Sequence, residues 1–181
     1  MAAKRVTPLG SLVLGAVSGA VGTGAMDLFM YVRYKRSGGE QSFGEWELSL
    51  GLDTWEKAPA PAQVGKRLVE GLLQRELPNS AAAPTNTVVH WGYGIGWGAL
   101  FGLVAASASS GRSLLGIALG PTVWASGYIT LPLLKLYKPI WEYDFATLAK
   151  DLSAHAVYGA GTAVAFSLLN GPTTADVGTE W

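Results

Sequence analysis

Four long stretches of this chain carry almost no charge, and no other feature of the sequence restricts its fold as strongly. Residues 8–32 contain one charged residue, Asp27, while residues 86–111, 113–134 and 152–175 contain no Asp, Glu, Lys or Arg. A helix crossing a bilayer needs about 20 mostly apolar residues, because lipid offers the backbone no hydrogen-bond partner outside the helix itself. All four stretches meet that requirement. The expected fold is all-α: one polytopic membrane domain over residues 1–181 with four transmembrane helices, near residues 9–32, 88–106, 113–136 and 152–169. The apolar run after the opening Met-Ala-Ala-Lys-Arg outlasts the core of a signal peptide and closes on Arg33, Lys35 and Arg36, which marks a retained span.

The chain also repeats itself. Residues 86–96 read N-T-V-V-H-W-G-Y-G-I-G and residues 151–161 read D-L-S-A-H-A-V-Y-G-A-G, which makes His90 the counterpart of His155 and Tyr93 that of Tyr158. Gly10, Gly15 and Gly19 match Gly111, Gly116 and Gly120 in spacing, and Tyr-Lys follows the apolar run at 34–35 and again at 137–138. Two parallel two-helix repeats follow: unit one over 9–107 with a polar insertion at 37–86, and unit two over 111–170, ahead of a polar tail at 171–181. An even number of spans per unit brings both copies in from the same side, related by a pseudo-two-fold along the membrane normal.

Small residues recur at four-residue spacing within the spans. Gly15 and Gly19, then Gly94, Gly98 and Gly102, then Gly116 and Gly120 each mark one helix face. In lipid such faces let backbones approach closely and gain van der Waals contact, so they are expected helix-packing surfaces.

The one large polar segment, 37–86, contains a helical pattern over about 62–77. Val64, Leu68, Val69, Leu72, Leu73 and Leu77 fall on one side, Lys66, Arg67, Glu70, Gln74 and Arg75 on the other, and Pro78 stops it. Between two spans, such an amphipathic helix is expected to lie in the membrane interface. Packing onto the ends of the spans and binding a partner are the alternatives. Basic residues set the orientation: Arg33, Lys35, Arg36, Lys57, Lys66, Arg67, Arg75, Lys135, Lys138 and Lys150 lie on the side of the connectors 37–86 and 139–150, and Lys4, Arg5 and Arg112 on the side of the termini. The positive-inside rule places the connectors in the cytoplasm and the termini outside.

From about residue 88 to 169 the pattern resembles the YagU-type bacterial inner-membrane proteins. His90 entering a Gly/aromatic span, Leu131-Pro132-Leu133 near the end of the third span, and Asp151 four residues before His155 carry the resemblance. It implies a multi-pass plasma-membrane protein and no mechanism. Where a third-span His would be expected, this chain has Gly127 and Tyr128.

Chemistry is sparse. Lys and Arg total 13 and Asp and Glu 13, with no basic stripe for nucleic acid; there is no Cys and no phosphate-binding loop. With only 2 His, no metal-ligand spacing exists. An enzyme is not expected. Ionisable groups within spans are costly and by default face the bundle interior, where they serve function. That leaves a polar cluster of Asp27, His90, His155 and Asp151, with Asn86, Tyr93 and Tyr158 beside it. Asp27 falls about 9 Å inward of Arg33, and the two histidines about 4–6 Å inside their helix starts. Asp151 and His155 share a helix face, and Asp151 or Asn86 could cap its helix. Each histidine could equally make only a structural hydrogen bond. Two readings remain. One is a non-enzymatic membrane protein, transporter-like, stress-related or a complex subunit, whose partners are the lipid bilayer and other membrane subunits or its own copies. The other is an electron carrier with haem held between His90 and His155.

Overall fold

A computed structural model describes residues 7–108 and 112–170. Lys4, Arg5, Gly111, the side chain of Arg112 and the tail 171–181 lie outside the described residues. Among the described residues six α-helices form: α1 (Pro8–Arg36), α2 (Phe43–Glu47), α3 (Ala60–Leu73), α4 (Ala82–Ser107), α5 (Arg112–Leu133) and α6 (Phe145–Asn170). No strand occurs among the described residues. Four of the helices, α1, α4, α5 and α6, are long and apolar enough to cross a membrane.

The helix starts follow local chemistry. Thr7 caps α1, its side chain accepting from the Gly10 N–H with Pro8 in the first turn, and Ser42 and Glu45 form a reciprocal capping box that defines the short α2. At α6 the cap is Asp144, which accepts from Thr147 N–H at 2.9 Å. This moves the start of the last helix from the expected 152 back to Phe145. Asp151 is thus a mid-helix residue and not a cap. Asn86 is likewise inside α4, donating from its amide to the Ser49 hydroxyl at 2.9 Å. His90 and His155 consequently lie about 12 and 15 Å along their helices, further in than expected.

The bundle is apolar outside and small inside. Val13, Val17, Val21 and Leu28 of α1, Leu100 and Val104 of α4, Ile117 and Ile129 of α5 and Val164 and Leu168 of α6 are all exposed. The buried positions of α1 are Ser11, Gly15, Ser18, Gly19, Gly22, Thr23 and Asp27. In water such an exterior would be a continuous adhesive patch; in lipid it is the proper solvent-facing surface. The interior hydroxyls return their protons to the same helix, Ser18 to the Leu14 carbonyl at 2.7 Å and Thr23 to the Gly19 carbonyl at 2.9 Å. The fold is therefore that of a multi-pass membrane protein.

Helix α1 packs between α4 and α6, and α5 packs on α6 with a lighter contact to α4. Glycine permits these approaches: a Cβ on Gly19 would fall 2.6 Å from the Gly94 carbonyl oxygen and 2.9 Å from the Gly98 Cα. Phe101, Ala105, Leu119, Val123, Tyr158 and Phe166 fill the remaining core, with Phe101 and Phe166 edge to face at 5.6 Å.

In the connector, Trp55 is the organising residue. It packs with Ala62 and Ala82 and donates its indole N–H to the Leu77 and Pro78 carbonyls at 3.1 and 3.2 Å. Helix α3 ends at Leu73, four residues short of the expected 77, because Gln74 turns left-handed at φ 50 and Glu70 bonds back to Leu77 N–H at 2.8 Å. Its inward side is not the leucine stripe. Ala62 and Gly65 are buried, with Gly65 set against Thr85 and Val89 of α4, while Leu68 and Leu72 are 57% and 80% exposed.

Candidate functional site

The only buried acid among the described residues is Asp27, on the inward face of α1 at 2% exposure. Its Oδ1 lies 2.8 Å from His90 Nε2 on α4, and its Oδ2 is buried with no hydrogen-bond partner. A second carboxyl approaches from outside the spans. Glu47, the last residue of α2, accepts from the Trp91 indole N–H at 2.7 Å and lies within interaction distance of both Asp27 and His90. Burial holds the Glu47 carboxyl above its ordinary range; the Trp91 hydrogen bond opposes that, and the nearby Asp27 carboxyl adds to it. His90 therefore stands between a buried carboxyl on its own bundle and a second carboxyl brought in by the connector.

Glu47 was not among the residues expected at this site. The capping signature Ser42-x-x-Glu45 announces the helix that carries it, but nothing local announces that its end folds over His90, more than forty residues away along the chain.

His155 has a different environment. Its Nδ1 faces the Asp151 carbonyl at 3.0 Å and the Asp151 carboxylate at 3.4 Å, both on its own helix. Asp151 in turn faces the Tyr128 phenol of α5, which packs against Tyr137 at 5.7 Å and Tyr143 at 5.4 Å. Among the described hydrogen bonds and ion pairs, none joins His90 to His155. The two motif tyrosines connect hairpins: Tyr93 shares a hydrogen bond with Ser126 of α5 at 2.7 Å, and Tyr158 donates to the Gly94 carbonyl of α4 at 2.7 Å. The predicted cluster thus divides into Asp27 with His90 on one side, and Asp151 with His155 on the other.

This division follows from helix register. In the first hairpin a Cβ on Gly98 would meet Gly19 and the Gly15 carbonyl; in the second, a Cβ on Gly159 would meet Gly120 and the Gly116 carbonyl. Gly19 faces the Gly94 carbonyl, and Gly120 faces the His155 carbonyl. By these contacts Gly98 corresponds to Gly159, Gly94 to His155, His90 to Asp151, and Asp27 to Tyr128. The written motif aligns His90 with His155, four residues further on. One helical turn separates the two alignments, about 5.4 Å. The contact that is Asp27 to His90 in one hairpin is therefore Tyr128 to Asp151 in the other.

No group of three or more His, Cys, Asp or Glu among the described residues is arranged to hold a metal ion. A bis-histidine haem also fits poorly, since His90 Nε2 is engaged by Asp27 and His155 turns its Nδ1 to its own helix. Compared with protein-family models, curated proteins and solved structures, the chain finds no match.

Proposed function

We propose that this chain is a non-enzymatic bacterial plasma-membrane protein whose Asp27–His90–Glu47 cluster is a proton-holding site, giving it a transporter-like or pH-responsive role. The observation that carries the reading is the Asp27 carboxyl, 2% exposed, with one oxygen on His90 and the Glu47 carboxyl brought up against it. Two carboxyls brought together in a bundle interior are costly when both are charged, and a proton held between them relieves that cost. A fully apolar residue would pack there more cheaply. Glu47 sits on the connector side of the pair, so the site has a titratable group between it and the water on that side. The positive-inside excess around the connectors supports placing that side in the cytoplasm.

Infrared difference spectroscopy on the lipid-reconstituted protein tests the reading directly. Stepping the pH should produce a protonated-carboxyl C=O band that is absent in Asp27→Asn. A band unchanged by that substitution, or none between pH 4 and 9, would sink it. The orientation is tested separately: a Cys at Ser80 should resist an impermeant maleimide in intact cells, whereas one at Thr174 should react.

A further inference from the structure

We propose that the flank of α1 beside α6 is a binding site for one anionic phospholipid, its acyl chain along Ala25, Leu28, Phe29 and Val32 and its phosphate on Arg33 and Arg36. These six residues line one open groove of about 430 Å³. From Ala25 to Arg36 the helix rises about 16 Å, which is the depth of one leaflet of a hydrocarbon core about 30 Å thick. The groove is apolar along the stretch that would lie among acyl chains and cationic only at the end, where the headgroups lie. No acidic side chain lines it.

Arg33 is the residue that makes this more than an oily surface with a charge nearby. Its Nη1 donates to the Lys150 carbonyl at 2.9 Å and to the Ser153 hydroxyl at 3.2 Å, and its guanidinium lies over the Phe29 ring at 5.4 Å. The guanidinium is thus held in place by α6 and by the groove's own wall. Its Nε and Nη2 have no partner among the described hydrogen bonds, and Arg36 enters no ion pair among the described residues. A planar fork with two donors to spare matches the oxygens of a phosphodiester, and pre-ordering lowers the entropy lost on binding. Lys and Arg at the connector-side end of a span meet the headgroup level, where anionic lipids are attracted. This proposal rests on the chain lying in a bilayer and not on the proton-holding role of Asp27.

Native mass spectrometry of the detergent-purified full chain, with dioleoyl phosphatidylglycerol or dioleoyl phosphatidylcholine added, tests the site. The expected result is a one-lipid adduct favouring the anionic lipid, by about fivefold per engaged guanidinium. Arg36→Gln and the groove-filling Leu28→Trp should each weaken that preference, and both positions are exposed enough for folding to survive. Arg33→Gln should abolish it. Lys35→Gln, which alters a cation of the same turn outside the groove, should leave it unchanged. Equal retention of the two lipids, or equal weakening by Lys35→Gln, overturns the proposal. Displacement of the lipid by millimolar inorganic phosphate alone would also overturn it, because the groove would then contribute nothing.

Discussion

The two hairpins, α1 with α4 and α5 with α6, close through the same kind of contact and enclose different chemistry. Both use glycine against glycine where the backbones cross, Gly19 with Gly98 and Gly120 with Gly159. About two turns toward the connectors the first hairpin buries an acid against an imidazole, while the second sets a phenol against an acid that is 34% exposed. A four-residue slip in which turn of the returning helix meets the glycine is enough to exchange a buried acid–imidazole pair for a wetter, aromatic one. A repeated His-Tyr-Gly spacing therefore does not imply equivalent sites when the helix register is set elsewhere.

The comparison is broken most directly at the two histidines. His90→Leu leaves the Asp27 carboxyl buried without its imidazole partner and beside a second carboxyl, and should cost about 3 kcal/mol or more in the unfolding free energy measured by SDS titration in mixed micelles. His155→Leu removes only a contact within one helix and should cost under about 0.5 kcal/mol. Equal losses would mean that the two sites are equivalent after all. The double substitution Asp27→Leu with His90→Leu should recover most of the loss, since an apolar pair leaves no buried charge unpaired.

Glycine substitutions should separate crossing points from lipid-facing positions. Gly98→Leu and Gly159→Leu drive a side chain into opposing backbone and should each cost about 3 kcal/mol by the same titration. Gly92 and Gly96 have open space where a Cβ would stand, so Gly96→Leu should be neutral or slightly stabilising. A large loss at Gly96 would instead reveal a further helix contact on that face.

A smaller effect is expected at the phenol. Tyr128→Phe removes the group facing Asp151 and should cost about 1 kcal/mol, without altering the Asp27 carboxyl band in infrared spectra. A change in that band would show that the two hairpins are electrically coupled.

The smallest effect is in the docking of α2. Glu47 has a carboxyl range raised by burial, so the folded state holds its proton to higher pH than the unfolded chain does. Stability from this group is complete below its ordinary value near 4.5 and is lost as pH rises through the raised range. Protease cleavage of the 37–54 segment should accelerate across that interval, and Glu47→Gln should flatten the dependence. Acceleration on lowering the pH would contradict the burial of Glu47.

The sequence by itself determined the four spans, because hydropathy over some twenty residues is a local property and the cost of charge in lipid leaves few alternatives. It also singled out Asp27 and His90, since ionisable groups in an apolar run are conspicuous. Tertiary structure decided three other matters. It set the start of α6 at Phe145, because the Asp144 cap overrides the hydropathy boundary. It placed Ala62 and Gly65, rather than the leucine stripe, against α4, because close backbone approach is available only at small residues. And it gave Asp27 to His90 and Glu47 while leaving His155 with Asp151. The repeated motif records spacing along a helix, but partners across helices depend on which turns cross. That crossing is fixed by backbone contacts summed over the whole interface, which no short motif encodes.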